Sequence, residues 1–96
     1  MMNVANTIKD QIGNKALYML GASALVGSED SLQFSIKGCR TINKIRIVLT
    51  PADTYTVQFW KMGRLANMKL VREVEEVYCD QLHGVIESHT GLYTSL

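Results

Sequence analysis

Hydrophobic residues change their spacing near residue 30, from the period of a helix to that of a strand. Before that point they recur every three or four positions, with the longest apolar stretch at residues 16–26, and such spacing places them on one helix face. The pattern predicts a two-part N-terminal helix that lies in the core, with Asn14 as the cap of its second part. Glycine tolerates the left-handed conformation that ends helices, so we expect an end between Gly21 and Gly27.

From Ser31 onward apolar and polar residues alternate singly, which is typical of strands with one buried face. The alternation predicts strands at residues 31–37, 44–49 and 54–61, with a turn at Pro51 between the last two. The residues that it assigns to the buried face are Leu32, Phe34, Ile36, Ile45, Ile47, Leu49, Tyr55, Val57 and Phe59.

The segment after Met68 fits two patterns, because its apolar residues suit both a strand and a helical stripe that continues to Ile86. We favour a fourth strand to about Val74 and a helix at about residues 78–89, which Gly91 would end. Three or four antiparallel strands between terminal helices predict an α+β fold, a two-layer sandwich whose sheet keeps one open face. A chain of 96 residues has the length of a single domain.

The composition indicates the cellular location of the protein rather than its fold. Cys39 and Cys79 are far apart in the chain and follow no secretory leader, which predicts reduced thiols in a cytoplasmic protein. The apolar stretch at residues 16–26 is shorter than the roughly 20 residues that cross a bilayer. We therefore expect no membrane partner.

Charge is distributed unevenly along the chain. Residues 37–72 carry eight lysines and arginines against one aspartate, a balance of +7, whereas residues 73–96 carry five acidic residues and neither lysine nor arginine, a balance of −5. Residues 1–36 contribute two basic and three acidic residues, which brings the total to the net charge of +1. This distribution predicts a basic sheet and an acidic C-terminal helix.

Alternation places cations, hydroxyls and the single tryptophan on the open face of the predicted sheet. These residues are Ser35, Lys37, Lys44, Arg46, Thr54, Thr56, Gln58 and Trp60. Such a set has the chemistry to contact phosphate or an acidic protein surface, with Trp60 as an anchor. The alternative is an ordinary solvated sheet face whose lysines discourage edge pairing. The candidate binding residues are Lys44, Arg46, Gln58 and Trp60.

The predicted acidic helix offers a second candidate surface, formed by Glu76, Asp80 and Glu87. Its charge would suit a basic partner, or would imitate nucleic acid toward such a partner. The alternative is the solvated side of an amphipathic helix, where carboxylates near the N-terminus are favoured by the helix dipole.

Motifs for catalysis or cofactor binding do not stand out. Cys79 and His83 are four residues apart and would share a helix face, but a metal site would also need His89 and Cys39. The alternative is a buried, inert Cys79 beside a surface His83. The sequence contains no phosphate-binding glycine loop and no carboxylate spacing that singles out an acid–base pair. We expect no catalytic residue, metal or cofactor, and a protein that is not an enzyme.

Four segments together resemble a family of small proteins from tailed phages and prophages. They are ALYMLGA at residues 16–22, LTPADTYTVQF at 49–59, VYCDQL at 77–82 and TGLYTSL at 90–96, so the resemblance covers nearly the whole chain. It implies a helix before a small antiparallel sheet and a second helix that begins near residues 77–82. The family has no established activity, so no residue role follows from it.

The resemblance implies an accessory protein in the cytoplasm of an infected or lysogenic bacterium. Small phage proteins without catalytic motifs often act by binding, so the leading hypothesis is a non-enzymatic protein that binds a host or phage protein, with inhibition of a host defence system as one such role. A nucleic-acid-binding module that uses the basic sheet face is an alternative, and its affinity would fall steeply with salt. A structural, self-assembling protein that forms a homo-oligomer through edge strands is another.

Overall fold

A computed structural model describes residues 4–63 and 67–92 of the chain. The elements within these residues are α1 (Val4–Ile12), α2 (Asn14–Met19), β1 (Ser23–Gly27), β2 (Ser31–Ser35), β3 (Lys44–Leu49), β4 (Tyr55–Met62), β5 (Met68–Val77), a short 3-10 helix (Cys79–Gln81) and α3 (Leu82–Thr90). Neighbouring strands pair antiparallel in chain order, as a meander. The predicted α+β fold is confirmed, with five strands in the described residues rather than three or four.

The core lies between one face of the sheet and the helices. Alternation assigned this face correctly, since its residues are buried except for the partly buried Leu49. The most completely buried side chains on the helical side are Ile8, Ile12, Leu20, Leu82 and Ile86, with Leu20 directly after the end of α2. Each such aliphatic side chain stabilises the fold by about 1.5–3 kcal/mol through removal of apolar surface from water.

The predicted two-part N-terminal helix is confirmed, but its second part ends before the expected range between Gly21 and Gly27. α2 ends at Met19, and Ser23–Gly27 form the exposed edge strand β1. Gly21 has φ +65°, which allows the chain to reverse between the two elements. Gly13, rather than Asn14, occupies the N-cap position of α2, without a side-chain cap. A short apolar run suits either a helix or a strand, and pairing with β2 decides for the strand.

β5 confirms the predicted fourth strand but continues past its expected end. It reaches Val77, and its pairing with β4 is irregular between Phe59 and Trp60 and again between Tyr55 and Val57. Glu76 lies at the second irregularity with φ +56°. α3 therefore begins only at Leu82, later than predicted.

The acidic C-terminal helix is a wrong prediction, because most of its carboxylates lie in other elements. Glu73, Glu75 and Glu76 belong to β5, Asp80 lies in the 3-10 helix, and Glu87 belongs to α3. The helix ends as predicted at Gly91, which has φ +72°. None of the helices in residues 4–63 and 67–92 is long and apolar enough to pass through a membrane.

Candidate functional site

Two rows of side chains cross the open face of the sheet from β2 to β5. The first row is Ser35, Lys44, Trp60 and Leu70. The second row is Gln33, Arg46, Gln58 and Glu73. Directly opposed residues of antiparallel strands project from the same face, so the register brings Lys44, Arg46, Gln58 and Trp60 together. Their role in binding stays a prediction.

Hydrogen bonds link three side chains of these rows. The Trp60 Nε1–H group donates to Gln58 Oε1 at 3.3 Å, and Gln58 Nε2 donates to Glu73 Oε2 at 2.7 Å. The amide of Gln58 is thus used at both ends, which orients the indole ring of Trp60. A side chain held in one orientation loses less conformational entropy when it binds a partner.

Glu73 changes the electrostatics that the sequence predicts for this face. It belongs to the acidic segment of the chain, but β5 places it in the same row as Arg46. The face therefore combines Lys44 and Arg46 with a carboxylate and is less basic than predicted. Mixed charge of this kind favours a protein surface over a phosphate backbone.

An apolar patch adjoins the polar rows where β4 and β5 approach their connecting segment. It consists of Trp60, Met62, Met68 and Leu70, and we name it the Trp60 patch. Met62 and Met68 are directly opposed, two residues along from Trp60 and Leu70. Met68 is 40% exposed and Leu70 41% exposed, while Trp60 and Met62 are half-buried. Tryptophan and methionine are enriched in protein-binding surfaces, and methionine adapts to irregular partners.

Sequence reasoning missed three members of the Trp60 patch. Met62 lies one residue past the predicted end of its strand, although it continues the alternation of Gln58 and Trp60. Met68 and Leu70 required the register of β5, which two irregularities shift. The period-two signal was sufficient for Met62, whereas no local signal defines the other two.

Two residues that alternation assigned to the open face lie elsewhere. Lys37 follows β2, and its backbone N–H donates to the Leu20 carbonyl oxygen at 3.1 Å, beside the end of α2. Thr54 is buried, and its hydroxyl lies 3.0 Å from the Thr50 hydroxyl across the β3–β4 turn. Both were wrong because the alternation was extended past the ends of the strands. Ser35 and Thr56 do lie in β2 and β4.

The second predicted surface is divided among three elements. Glu76 is exposed in β5, Asp80 is exposed in the 3-10 helix, and Glu87 is partly buried in α3. These carboxylates therefore do not form one side of a single helix. The dipole argument for an acidic helix end does not apply to them.

Cys79 and His83 have separate structural surroundings. Cys79 is exposed, so the expectation of a buried thiol at this position is wrong. His83 is exposed as expected, but its Nε2 lies 2.6 Å from the carbonyl oxygen of Ile12 and so joins α3 to the end of α1. In the part of the chain that the structure describes, no three histidine, cysteine, aspartate or glutamate side chains are grouped to hold a metal ion.

Comparisons with protein-family models, with curated proteins and with solved structures found no match to this chain. The fold defines the class: an α+β protein whose antiparallel meander is covered by helices on one side and open on the other. Its function has to be argued from the open face itself.

Proposed function

We propose that this protein acts by binding another protein through the open face of its sheet. The observation that carries the proposal is the Trp60 patch, an apolar surface centred on an oriented indole ring and bordered by Lys44 and Arg46. Tryptophan and arginine are the residues that most often carry the binding energy of an interface. A desolvated apolar centre with a polar rim is also the usual arrangement of such interfaces.

The charges beside the patch indicate the chemistry of the partner. Lys44 lies opposite Trp60, and Arg46 lies opposite Gln58 in the next row. A complementary surface would offer an apolar pocket for the indole and carboxylates at its rim, near Lys44 and Arg46. Opposite charges at the rim accelerate association and fix its register.

The finer biological assignment rests on the resemblance to phage and prophage proteins. In that setting the partner is a host or phage protein in the bacterial cytoplasm, and a component of a host defence system is one candidate. The protein would act without catalysis, by occupying a surface that the partner needs. Glu76, Asp80 and Glu87 support a second binding surface less well, since they belong to different elements.

An affinity pull-down from lysate of the bacterial host tests the proposal. Trp60→Ala and Met68→Ser should each lose a stoichiometric, nuclease-resistant protein that the wild type retains. Removal of a central tryptophan should cost about 2 kcal/mol of binding or more, roughly a 30-fold loss of affinity. Met68 is exposed, so we expect Met68→Ser to fold normally. A loss of binding by this variant would then not be caused by unfolding.

Tyr18→Ala is the matched control for these variants. Tyr18 is 86% exposed on α2, away from the strands of the open face, and its loss should leave the captured protein unchanged. If the Trp60 and Met68 variants capture the same protein as the wild type, the open face is not the binding surface. Reversal of Lys44 and Arg46 to glutamate tests the rim separately.

Nucleic-acid binding through this face is the less favoured reading. Lys44 and Arg46 support it, but Glu73 lies in the same row and would repel phosphate. The pull-down distinguishes nucleic-acid binding from protein binding. In the nucleic-acid case the wild type would capture nucleic acid rather than a protein, and nuclease or added salt would remove it.

Self-assembly is a second candidate function, and β1 is the observation that favours it. The strand has the sequence SALVG, lies at the edge of the sheet and is exposed along its length, with Val26 at 58%. An exposed edge without charge pairs readily with a second copy, here as β1 with β1 across a two-fold axis. Sedimentation should reveal a dimer that Val26→Lys dissociates, and a monomer at every concentration would exclude this function.

A further inference from the structure

A cleft adjoins the β4–β5 pairing next to the Trp60 patch. Its volume is about 350 Å³, and its described lining is Thr41, Lys61, Lys69, Leu70 and Val71. Lys61 follows Trp60 in β4, so its side chain projects from the opposite face of the strand. Leu70 borders both surfaces.

Lys61 and Lys69 are directly opposed across the β4–β5 pairing. Like charges at directly opposed positions repel and destabilise a sheet, whereas the neighbouring Gln58 and Glu73 form a favourable pair. No acidic side chain is found among the described residues that line the cleft. We therefore expect the two lysines to repel each other in the protein alone, and a bound anion would relieve this repulsion.

The polar groups of the cleft match one ligand chemistry. The two ammonium groups can only donate hydrogen bonds, and each offers up to three donors. Several donors in one cleft suit an anion with several acceptor oxygens, and lysine is a common phosphate ligand. The apolar side chains of Leu70 and Val71 would contact the uncharged remainder of such a ligand.

We propose that this cleft binds a phosphate group, carried by a small phosphorylated molecule or by a nucleic-acid backbone. The proposal goes beyond the protein-binding function, because it concerns the cleft rather than the Trp60 patch and a different class of ligand.

Cys39 lies beside the cleft, and its thiol responds to the positive charge of Lys61. Its thiol lies 3.6 Å from the Thr41 hydroxyl. Burial raises the pKa of this thiol, but hydrogen bonds from Thr41 and from the Ile42 backbone N–H, together with the charge of Lys61, lower it by more. The net pKa lies below the ordinary value of 9.0, so the thiol ionises more readily than an ordinary cysteine.

Cys39 also supplies the readout for the test. In a Cys79→Ser protein Cys39 is the only thiol, and its alkylation by the neutral reagent iodoacetamide can be followed against pH. Bound phosphate would offset the charge of Lys61 and raise the pKa of Cys39, which shifts the reaction profile to higher pH. The probes are inorganic phosphate, a nucleoside monophosphate and a single-stranded DNA oligonucleotide, each also titrated by NMR.

Lys61→Gln and Lys69→Gln should each weaken binding of the best probe by about tenfold, the expected loss for one charge-assisted contact. Lys15→Gln is the matched control, since Lys15 is exposed on α2, outside both the cleft and the open face, and its loss should leave probe affinity unchanged. Lys69→Glu should abolish binding and raise the Tm of the ligand-free protein, because it replaces a repulsive pair by an attractive one.

The probes also distinguish the two sources of phosphate. A nucleoside monophosphate that binds as tightly as the oligonucleotide identifies a small-molecule site, and an oligonucleotide that binds more tightly with a steep salt dependence identifies a nucleic-acid site. Absence of binding by all three probes at millimolar concentration would overturn the proposal. Equal binding by the wild type and both glutamine variants would also overturn it.

Discussion

The side chain of Asn43 forms two hydrogen bonds with the backbone of Met62. Asn43 Nδ2 donates to the Met62 carbonyl oxygen at 2.9 Å, and the Met62 N–H donates to Asn43 Oδ1 at 2.7 Å. The Asn43 N–H also donates to the Trp60 carbonyl oxygen at 3.0 Å. The amide thus continues the β3–β4 pairing past the last backbone pair and holds the end of β4 that carries the Trp60 patch.

Asn43→Ala should therefore lower the free energy of unfolding by about 1–3 kcal/mol, since two hydrogen bonds are lost at a partly buried position. Urea denaturation measures the change. Asn14→Ala is the control, because Asn14 is exposed at the start of α2 and its replacement should alter stability by less than about 0.5 kcal/mol. A similar effect for both variants would mean that Asn43 does not hold β4.

Glu76 is held in a backbone conformation that favours glycine, with φ +56° at an irregularity of β5. Glu76→Gly should raise the free energy of unfolding by about 0.5–1 kcal/mol, because the cost of the left-handed conformation exceeds the added entropy of the unfolded chain. Thermal and urea unfolding both report this gain. The neighbouring Glu75 has no such conformation, so Glu75→Gly should destabilise the strand.

The same Glu76 variant tests the predicted binding role of this carboxylate. A glutamate kept at a strained position is compatible with a functional demand on its side chain. If Glu76→Gly is more stable and still captures the partner fully, Glu76 is not a binding residue. If capture is lost while stability rises, the carboxylate contacts the partner.

Tyr55 gives the stability a dependence on alkaline pH. Its ring is buried and its hydroxyl donates to Gln11 Oε1, and burial, followed by the charge of nearby Cys79, raises its pKa above the ordinary 10.0. The folded protein therefore retains a proton that the unfolded chain releases. The stabilisation is complete below pH 10 and is lost as the pH rises through the folded-state pKa.

Tyr55→Phe should remove this dependence, because phenylalanine has no hydroxyl to titrate. Above pH 10 the free energy of unfolding of the wild type should therefore fall toward that of the variant. Denaturant unfolding at a series of pH values up to about 11 measures the difference. Tyr18→Phe is the matched control, since Tyr18 is 86% exposed and does not belong to the core that the described residues form. Parallel curves for Tyr55→Phe and wild type would contradict the prediction.

Gly27 of β1 approaches α1 closely, and a Cβ atom at this position would lie 2.6 Å from the Cβ atom of Ala5. Gly27→Ala should therefore destabilise the protein by about 1–3 kcal/mol through overpacking. Ala5→Gly in the same protein should recover part of the loss. A double-mutant cycle should give a coupling free energy of about 0.5–3 kcal/mol between Gly27→Ala and Ala5→Gly, with the double variant more stable than the sum of the two single effects. Additive effects would show that β1 does not pack on α1.

Alternation alone determined the covered face of the sheet. The pairs Leu32 with Ile47 and Ile45 with Phe59 lie opposite one another with all four side chains buried. Side-chain direction in a regular strand depends only on position along the strand, so a local pattern contains this information. For the same reason Lys44, Arg46, Gln58 and Trp60 could be grouped from the sequence, although their function could not.

Tertiary structure decided what lies at the edges of that sheet. Residues 23–27 have an apolar composition that suits a helix, and only their pairing with β2 makes them a strand. Likewise, the irregularities in β5 set which of its residues oppose Gln58, Trp60 and Lys61. They place Glu73 on the open face, Met68 and Leu70 in the Trp60 patch, and Lys69 opposite Lys61 in the cleft. Such register depends on contacts between distant parts of the chain, and no local period encodes it.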